Sequence, residues 1–313
     1  MMPAAARKTA NGSRPGIEIV RRIIVQYLGS KPARIHRETA GRSNLVFSVD
    51  HDSGQFIVRI NSNPAKLDPF LKEQWATRRA RKAGIPVAEI LEVGNDPVPH
   101  MILRKAAGKP ATSHPKRMGV IRELGHFAAH INSIQTNGFG STFDWSPKEL
   151  SKNPDWLEFL RSEIKLDHRL RVLNRLRMVN NEKLETLRRL LENAGDKRRS
   201  PRLTHGDLRL KNVLVDEKGS ISAILDWETC TSNLAPEWEL ALALHDLSID
   251  EKQEFLFGYG LNTKVVAAMA PVVKALNIIN YAPQIERFEK RQDTKHLEMY
   301  RLRLSGALEL YSL

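Results

Sequence analysis

Cysteine is almost missing from this chain: Cys230 is the single one, so no internal disulfide can form. That usage fits a reducing, cytoplasmic setting, and Cys230 reads as a small buried side chain rather than a reactive group. No uninterrupted apolar stretch approaches the length of a membrane span, so no spanning helix and no membrane partner are expected. Zinc-finger spacing, a basic leucine-zipper region and an aromatic-rich sheet signature are all absent. Residues 1–16 carry Arg7, Lys8 and Arg14 but no acid. They also lack the apolar segment of a secretory signal and are expected to form a disordered basic tail.

What remains is an ordinary globular composition in an unusually basic chain. Of 313 residues, 41% are hydrophobic and 27% charged, enough for one large domain or two lobes with a full core. Lys and Arg number 49 against 36 Asp and Glu, a net charge of +13. Many of the cations lie in 161–177, 183–189 and 197–202, interleaved with Glu and Leu at helical spacing. That pattern makes solvated helix faces, and nucleic acid is not the expected partner.

The chemistry concentrates in residues 203–228. Two short apolar runs, Val213–Val215 and Ile221–Leu225, flank Asp216-Glu217-Lys218-Gly219, where Gly supplies the positive φ of a tight hairpin turn. Antiparallel pairing returns the chain so that Asn212 stands beside residues 224–226. Asn212 and Asp226 then offer two hard oxygen ligands for Mg²⁺ at the open end of the hairpin. Asp207, five residues before Asn212, is left to meet a substrate hydroxyl.

The wording of these motifs, His205-Gly206-Asp207 with Asn212 following and Asp226-Trp227-Glu228 after the hairpin, resembles the aminoglycoside phosphotransferase and choline kinase-like family. The resemblance implies a nucleoside triphosphate (ATP or GTP), Mg²⁺ and a small-molecule hydroxyl acceptor such as a sugar, amino alcohol or antibiotic. It assigns Asp207 as catalytic base and Asn212 and Asp226 as the metal ligands. His205 is expected to fix the loop, and Trp227 to pack under Asp226. Glu228 either approaches a second metal or caps the next turn. On the nucleotide side, Gly41, Ser43 and Asn44 match the family's phosphate-covering loop. Arg59 stands where kinases usually carry Lys, with Glu73 as its partner on the following helix. The connector containing Leu103 and Lys105 looks like the hinge that reads a purine through backbone groups. The segment Leu234-Ala235-Pro236-Glu237-Trp238-Glu239-Leu240-Ala241 keeps the family's Pro, second acid and Leu-Ala, but replaces its Gly-Asp pair and is one residue longer. The acceptor-side loop is therefore not expected to follow the family.

Element order agrees with that resemblance. Helix 17–28, strands 34–38, 44–49 and 55–60, helix 68–83, and strands 87–93 and 100–103 make a small β-rich lobe over 17–105. Beyond Gly108 the pattern turns helical, at 115–134, 154–173, 182–193, 238–247, 251–257 and 264–277, with a long or twice-broken helix over 284–310. The metal-site hairpin supplies the only expected strands of the 106–313 lobe. The expected fold class is thus α+β, a two-lobed protein kinase-like fold. A competing expectation is a kinase-fold module that binds nucleotide or associates with nucleic acid without turnover; an intact Asp207 argues against it.

Overall fold

The protein's structure, a computed structural model, describes residues 13–39, 43–142, 152–175, 177, 179–195 and 199–309. Helix α1 (Ser13–Leu28) leads into strands β1 (Arg34–Glu38), β2 (Leu45–His51) and β3 (Gly54–Ile60). Helix α2 (Leu67–Lys82), β4 (Ile90–Gly94) and β5 (His100–Arg104) complete the small lobe. Its antiparallel sheet has the order β1-β2-β3-β5-β4. Side chains alternate between the two faces of a strand, and both faces are used here. Phe47, Val49, Phe56, Val58 and Ile102 meet Val20, Ile23 and Ile24 of α1. On the other face Met101 and Leu103 meet Phe70 of α2. Arg59 lies between Val58 and Ile60 in β3 and so projects toward α2.

The larger lobe begins with β6 (Lys109–Pro110) and α3 (Arg117–Ser133), followed by α4 (Trp156–Phe159), α5 (Leu166–Arg175) and α6 (Asn181–Ala194). Strand β7 (Arg202–Thr204) precedes the hairpin β8 (Val213–Val215) and β9 (Ile221–Ile224), and β10 (Thr231–Asn233) pairs back with β7. Helices α7 (Glu237–Ala243), α8 (Ile249–Tyr259), α9 (Thr263–Lys290) and α10 (Thr294–Glu309) follow. One core joins α3, the hairpin and α8 around Ile121, Leu124, Trp227 and Phe255. A second surrounds α9, with Trp156, Leu173, Leu276 and Ile279 in it. The hairpin core thus forms a platform that carries the polar loop before β8.

Several sequence expectations change. Residues 13–16 belong to α1 rather than to a tail. The helix expected over 154–173 is broken by a π-helical turn at Leu160–Ile164 and by Lys165, which takes a left-handed φ of 55°. Strands β6, β7 and β10 were not expected. Helix α9 is a single 28-residue element that passes through Pro271 and Pro283, and residues 284–290 belong to it. The break before α10 falls at residues 291–293, with Gln292 left-handed. By length and composition alone α9 is apolar enough to cross a bilayer, with mean hydropathy 1.5 over an 18-residue window. Here it packs against α5, α6, α7 and α10.

Candidate active site

Asp207 sits on the loop between β7 and β8. Its Oδ1 accepts from Arg209 Nε. Its Oδ2 accepts from Lys211 Nζ and from Asn212 Nδ2, each at 2.8 Å. Burial opposes ionisation, yet the bonds from Arg209, Lys211 and Asn212 hold the carboxyl below its ordinary range. Asp207 is therefore an anion at neutral pH.

The loop is fixed from beneath by buried polar groups. His205 is fully buried and its Nε2 donates to the Leu225 carbonyl at 3.0 Å, while Nδ1 accepts from the Asp207 N–H at 3.2 Å. Burial pulls its pKa down to about 4, so the ring is neutral and serves as a brace. Glu239 on α7 accepts from the backbone N–H groups of His205 at 2.6 Å and Gly206 at 3.2 Å. Burial pushes that carboxyl up to about 7 against the pull of these two bonds. Gly206 is required where it stands: its φ is 78°, and a Cβ there would meet the Thr229 carbonyl oxygen at 2.6 Å.

Asn212 and Asp226 come together at the mouth of the hairpin. Val213 pairs with Ile224, and the Asn212 carbonyl accepts from the Leu225 N–H at 2.8 Å. At the far end Gly219 takes a φ of 90°, and Asp216 Oδ1 accepts from the N–H groups of Lys218 and Ser220. Asn212 Nδ2 is committed to the backbone and side chain of Asp207, which turns its Oδ1 away from that contact. Asp226 is exposed and left-handed, with φ 65° and ψ 60°, a conformation that costs a non-glycine residue energy and recurs at functional sites. Trp227 beside it is buried and packs against His205, the ring centroids 4.6 Å apart and the planes tilted by 60°. Among the described residues no group of three or more His, Cys, Asp and Glu could hold a metal ion. One amide oxygen and one carboxylate, both hard donors, fit a Mg²⁺ that takes its remaining ligands from phosphate and water.

Across the cleft, Arg59 Nη1 donates to both oxygens of Glu73 at 2.8 Å. Burial works against both charges, and it raises the Glu73 carboxyl. Glu73, Asp226 and Glu228 nevertheless hold the guanidinium protonated more firmly than usual. Arg59 Nη2 also lies 3.6 Å from Glu228, and the Asn44 amide, with its oxygen turned to Arg59, accepts from Nη2 at 3.1 Å. Ser43 Oγ donates to Glu228 at 3.3 Å, so the loop before β2 touches the turn that follows Asp226. Gly41 lies outside the described residues. Leu103 is paired within β5 to Ile57 and Ile90, and the Lys105 N–H donates to the Gln55 carbonyl at 3.0 Å, committing that donor to the sheet. Leu234, in the segment that departs from the family, is a buried core residue.

Four residues of the site went unassigned in the sequence. Lys66 donates to Glu228 at 2.5 Å. Lys72, buried on α2, donates to the carbonyls of Ser141 and Cys230 at 3.1 and 3.0 Å, fastening α2 to the large lobe. Arg209 and Lys211 were visible as charges two and four positions after Asp207, a signal that a surface reading passes over.

A small antiparallel lobe over a helical one, with an acidic hairpin mouth facing a strand-borne cation, is a kinase-like phosphotransferase fold. The model of the phosphotransferase enzyme family matches residues 35–271, and the chain belongs to that family. It is 26% identical over 196 residues to the hygromycin-B 4-O-kinase of Escherichia coli, a match that spans 60% of this chain and 55% of that enzyme. In fold it is similar to aminoglycoside phosphotransferase APH(4)-Ia, with TM-score 0.69 and 19% identity over 94% of this chain and 98% of that one. A fructosamine-3-kinase-like protein of Haemophilus somnus gives TM-score 0.60 and 13% identity, over 94% of this chain and 97% of that one.

Proposed function

We propose that the protein transfers the γ-phosphoryl group of a nucleoside triphosphate to a hydroxyl of a small molecule. The observation that carries this reading is the Asp207 carboxylate, ionised and aimed from a braced loop beside the Asn212–Asp226 mouth. Family membership supports it. So does the ternary complex of a thermostable APH(4)-Ia variant with AMP-PNP and hygromycin B, a protein that shares this fold.

Asp207 orients the acceptor hydroxyl and takes its proton as the oxygen bonds to the γ-phosphorus and the bridging bond to the β-phosphate breaks. The products are a phosphate monoester and a nucleoside diphosphate. Asn212 and Asp226 would hold Mg²⁺, which neutralises charge on the phosphate oxygens when bound. Arg59, kept charged by Glu73, faces the phosphates from the small lobe, while Ser43 and Asn44 belong to the loop that covers them. Arg209 and Lys211 hold Asp207 in one orientation and add positive charge where the phosphoryl group arrives. The single, buried cysteine suits a cytoplasmic enzyme.

The test is diphosphate release from MgATP and MgGTP in the presence of a panel of cationic, neutral and anionic alcohols. Acceptor-dependent release that disappears in Asp207→Asn is the expected result. Hydrolysis indifferent to every alcohol and to Asp207 would overturn the proposal.

A further inference from the structure

Residues of α7, α8, α9 and α10 and of the turn after α7 line a half-open cavity of about 390 Å³ in the large lobe. The size falls within the range of small-molecule sites, roughly 300–1,000 Å³. Its wall is largely apolar, built from residues such as Leu244, Leu256, Val266, Met269 and Val273. The charged lining is one-sided: Lys252, Lys274 and Arg303 contribute beside His245, Asn277 and Tyr281, and among the described residues no Asp or Glu lines the cavity.

Contacts lead from this cavity to the catalytic carboxylate. Arg303 Nη1 lies 3.4 Å from His245 Nε2, and the Tyr281 hydroxyl lies 3.2 Å from Nδ1. The next residue, Asp246, accepts from Arg209 Nη1 at 3.3 Å. Arg209 in turn holds Asp207. Burial lowers the His245 pKa, and the charges of Arg303, Arg209 and Lys252 add to that effect against Asp246, so the imidazole stays neutral. Asp246 is the acid at this corner, and it is already paired with Arg209.

A polycation entering such a cavity would lose hydration and meet like charge, with no carboxylate among the described lining residues to receive it. An anionic head gains from the same arrangement, and the apolar wall favours a hydrocarbon body. We propose that this cavity is the acceptor site and that it takes an amphipathic anionic alcohol. The anionic head is held by Arg303 with Lys252, the apolar body lies along α9, and the hydroxyl points to Asp207. The inference rests on the phosphoryl-transfer reading above and deepens it. It departs from the aminoglycosides, which are polycations.

Calorimetric titration of the full chain separates the two ideas. The probes are ω-hydroxyoctanoate and hydroxyphenylpropionate as anionic alcohols, octanediol as a neutral one and kanamycin as a cation. Each is titrated into the wild type, Asp207→Asn and Arg303→Glu, and each is offered to the wild type with MgATP. The anionic alcohols are expected to bind wild type and Asp207→Asn alike, and Arg303→Glu at least tenfold more weakly. They should bind at least tenfold more tightly than the diol, and mass spectrometry should find their phosphate esters. Lys252→Glu replaces Arg303→Glu if circular dichroism shows that variant unfolded. Phosphorylation of kanamycin or the diol, with the hydroxy acids unbound, overturns the anionic acceptor and leaves phosphoryl transfer standing. Binding of the hydroxy acids with no phosphorylated product from any alcohol overturns phosphoryl transfer itself, and with it the acceptor role of the cavity.

Discussion

Arg59 on β3 and Glu73 on α2 form a pair in which one guanidinium nitrogen reaches both carboxylate oxygens at 2.8 Å. Both side chains are well shielded, at 13% and 3% exposure. Removing one partner strands the other as a buried charge, at a typical cost of about 3–5 kcal/mol. Arg59→Met should therefore lower the melting temperature sharply. The double variant Arg59→Met/Glu73→Met should recover most of the stability, because two apolar side chains can fill the site. It should not recover nucleotide affinity. Thermal unfolding and nucleotide titration on the same three proteins test this, and a double variant that binds nucleotide like the wild type would remove Arg59 from the phosphate site.

Asp207→Asn keeps the shape of the side chain, but its single acceptor oxygen can answer only Arg209 or the Lys211–Asn212 pair, and it cannot accept the hydroxyl proton. A positioned general base contributes ~10²–10⁴-fold, so kcat should fall by that order while the nucleotide KM changes little. Asn212→Ala and Asp226→Ala should act differently, raising the Mg²⁺ concentration needed for half-maximal rate. Steady-state kinetics across a Mg²⁺ series distinguish the two classes. Turnover that persists in a chelator would contradict the assignment of Asn212 and Asp226.

The acid side of the pH profile follows from the bonds on Asp207. The folded protein holds this carboxyl below its ordinary value of 3.8, with Arg209 and Lys211 as the main cause once burial is overcome. A depressed acid keeps its anion as pH falls, so catalysis by Asp207 should persist to below that value. The stability it contributes is complete above the unfolded pKa and is lost as pH drops through the folded one. Arg209→Met and Lys211→Met should each shift the acid limb of log(kcat/KM) upward. A limb that stays in place in both variants would show that Asp207 is not the group being titrated.

The contrast between these residues and their supports explains what could be read in advance. Asp207, Asn212 and Asp226 are fixed by local rules: a short loop, a Gly219 turn and the two-residue period of a hairpin bring them together within twenty positions. The pairing of Arg59 with Glu73 follows from a strand succeeded by a helix on its face. Lys72 is different, because its partners are the carbonyls of Ser141 and Cys230, and a backbone acceptor leaves no mark in the sequence. Lys66 and Glu228 meet across the cleft from positions 162 apart, a contact that exists only once both lobes are assembled. Strands β7 and β10 span three residues each, too few to show alternation. The sequence pattern carries helix α9 through Pro271 but ends it at Asn277 and begins another at Gln284, on either side of Pro283. In the structure α9 runs on past Pro283 to Lys290, with α5, α6, α7 and α10 packed around it.

Glu228 carries the last prediction. It accepts from Lys66 Nζ at 2.5 Å and from Ser43 Oγ at 3.3 Å, and it lies 3.6 Å from Arg59. Burial opposes its charge, yet Lys66 and Arg59 hold it below the usual carboxylate range. The carboxylate thus engages the small-lobe cations that a nucleotide phosphate would approach. Phosphate oxygens entering the cleft must compete with Glu228 for them, because two anions sharing one set of cations repel each other. Glu228→Gln keeps the side chain's shape and removes the competing charge, so nucleotide binding in the absence of Mg²⁺ should tighten several-fold. The same variant gives up a cross-cleft ion pair with Lys66, so the closed arrangement of the lobes should become less populated without nucleotide. Fluorescence titration with a nucleotide analogue in chelator reads the first effect, and small-angle scattering of the free protein reads the second. Weaker metal-free binding in Glu228→Gln would mean that this carboxylate assists the phosphates instead of competing with them.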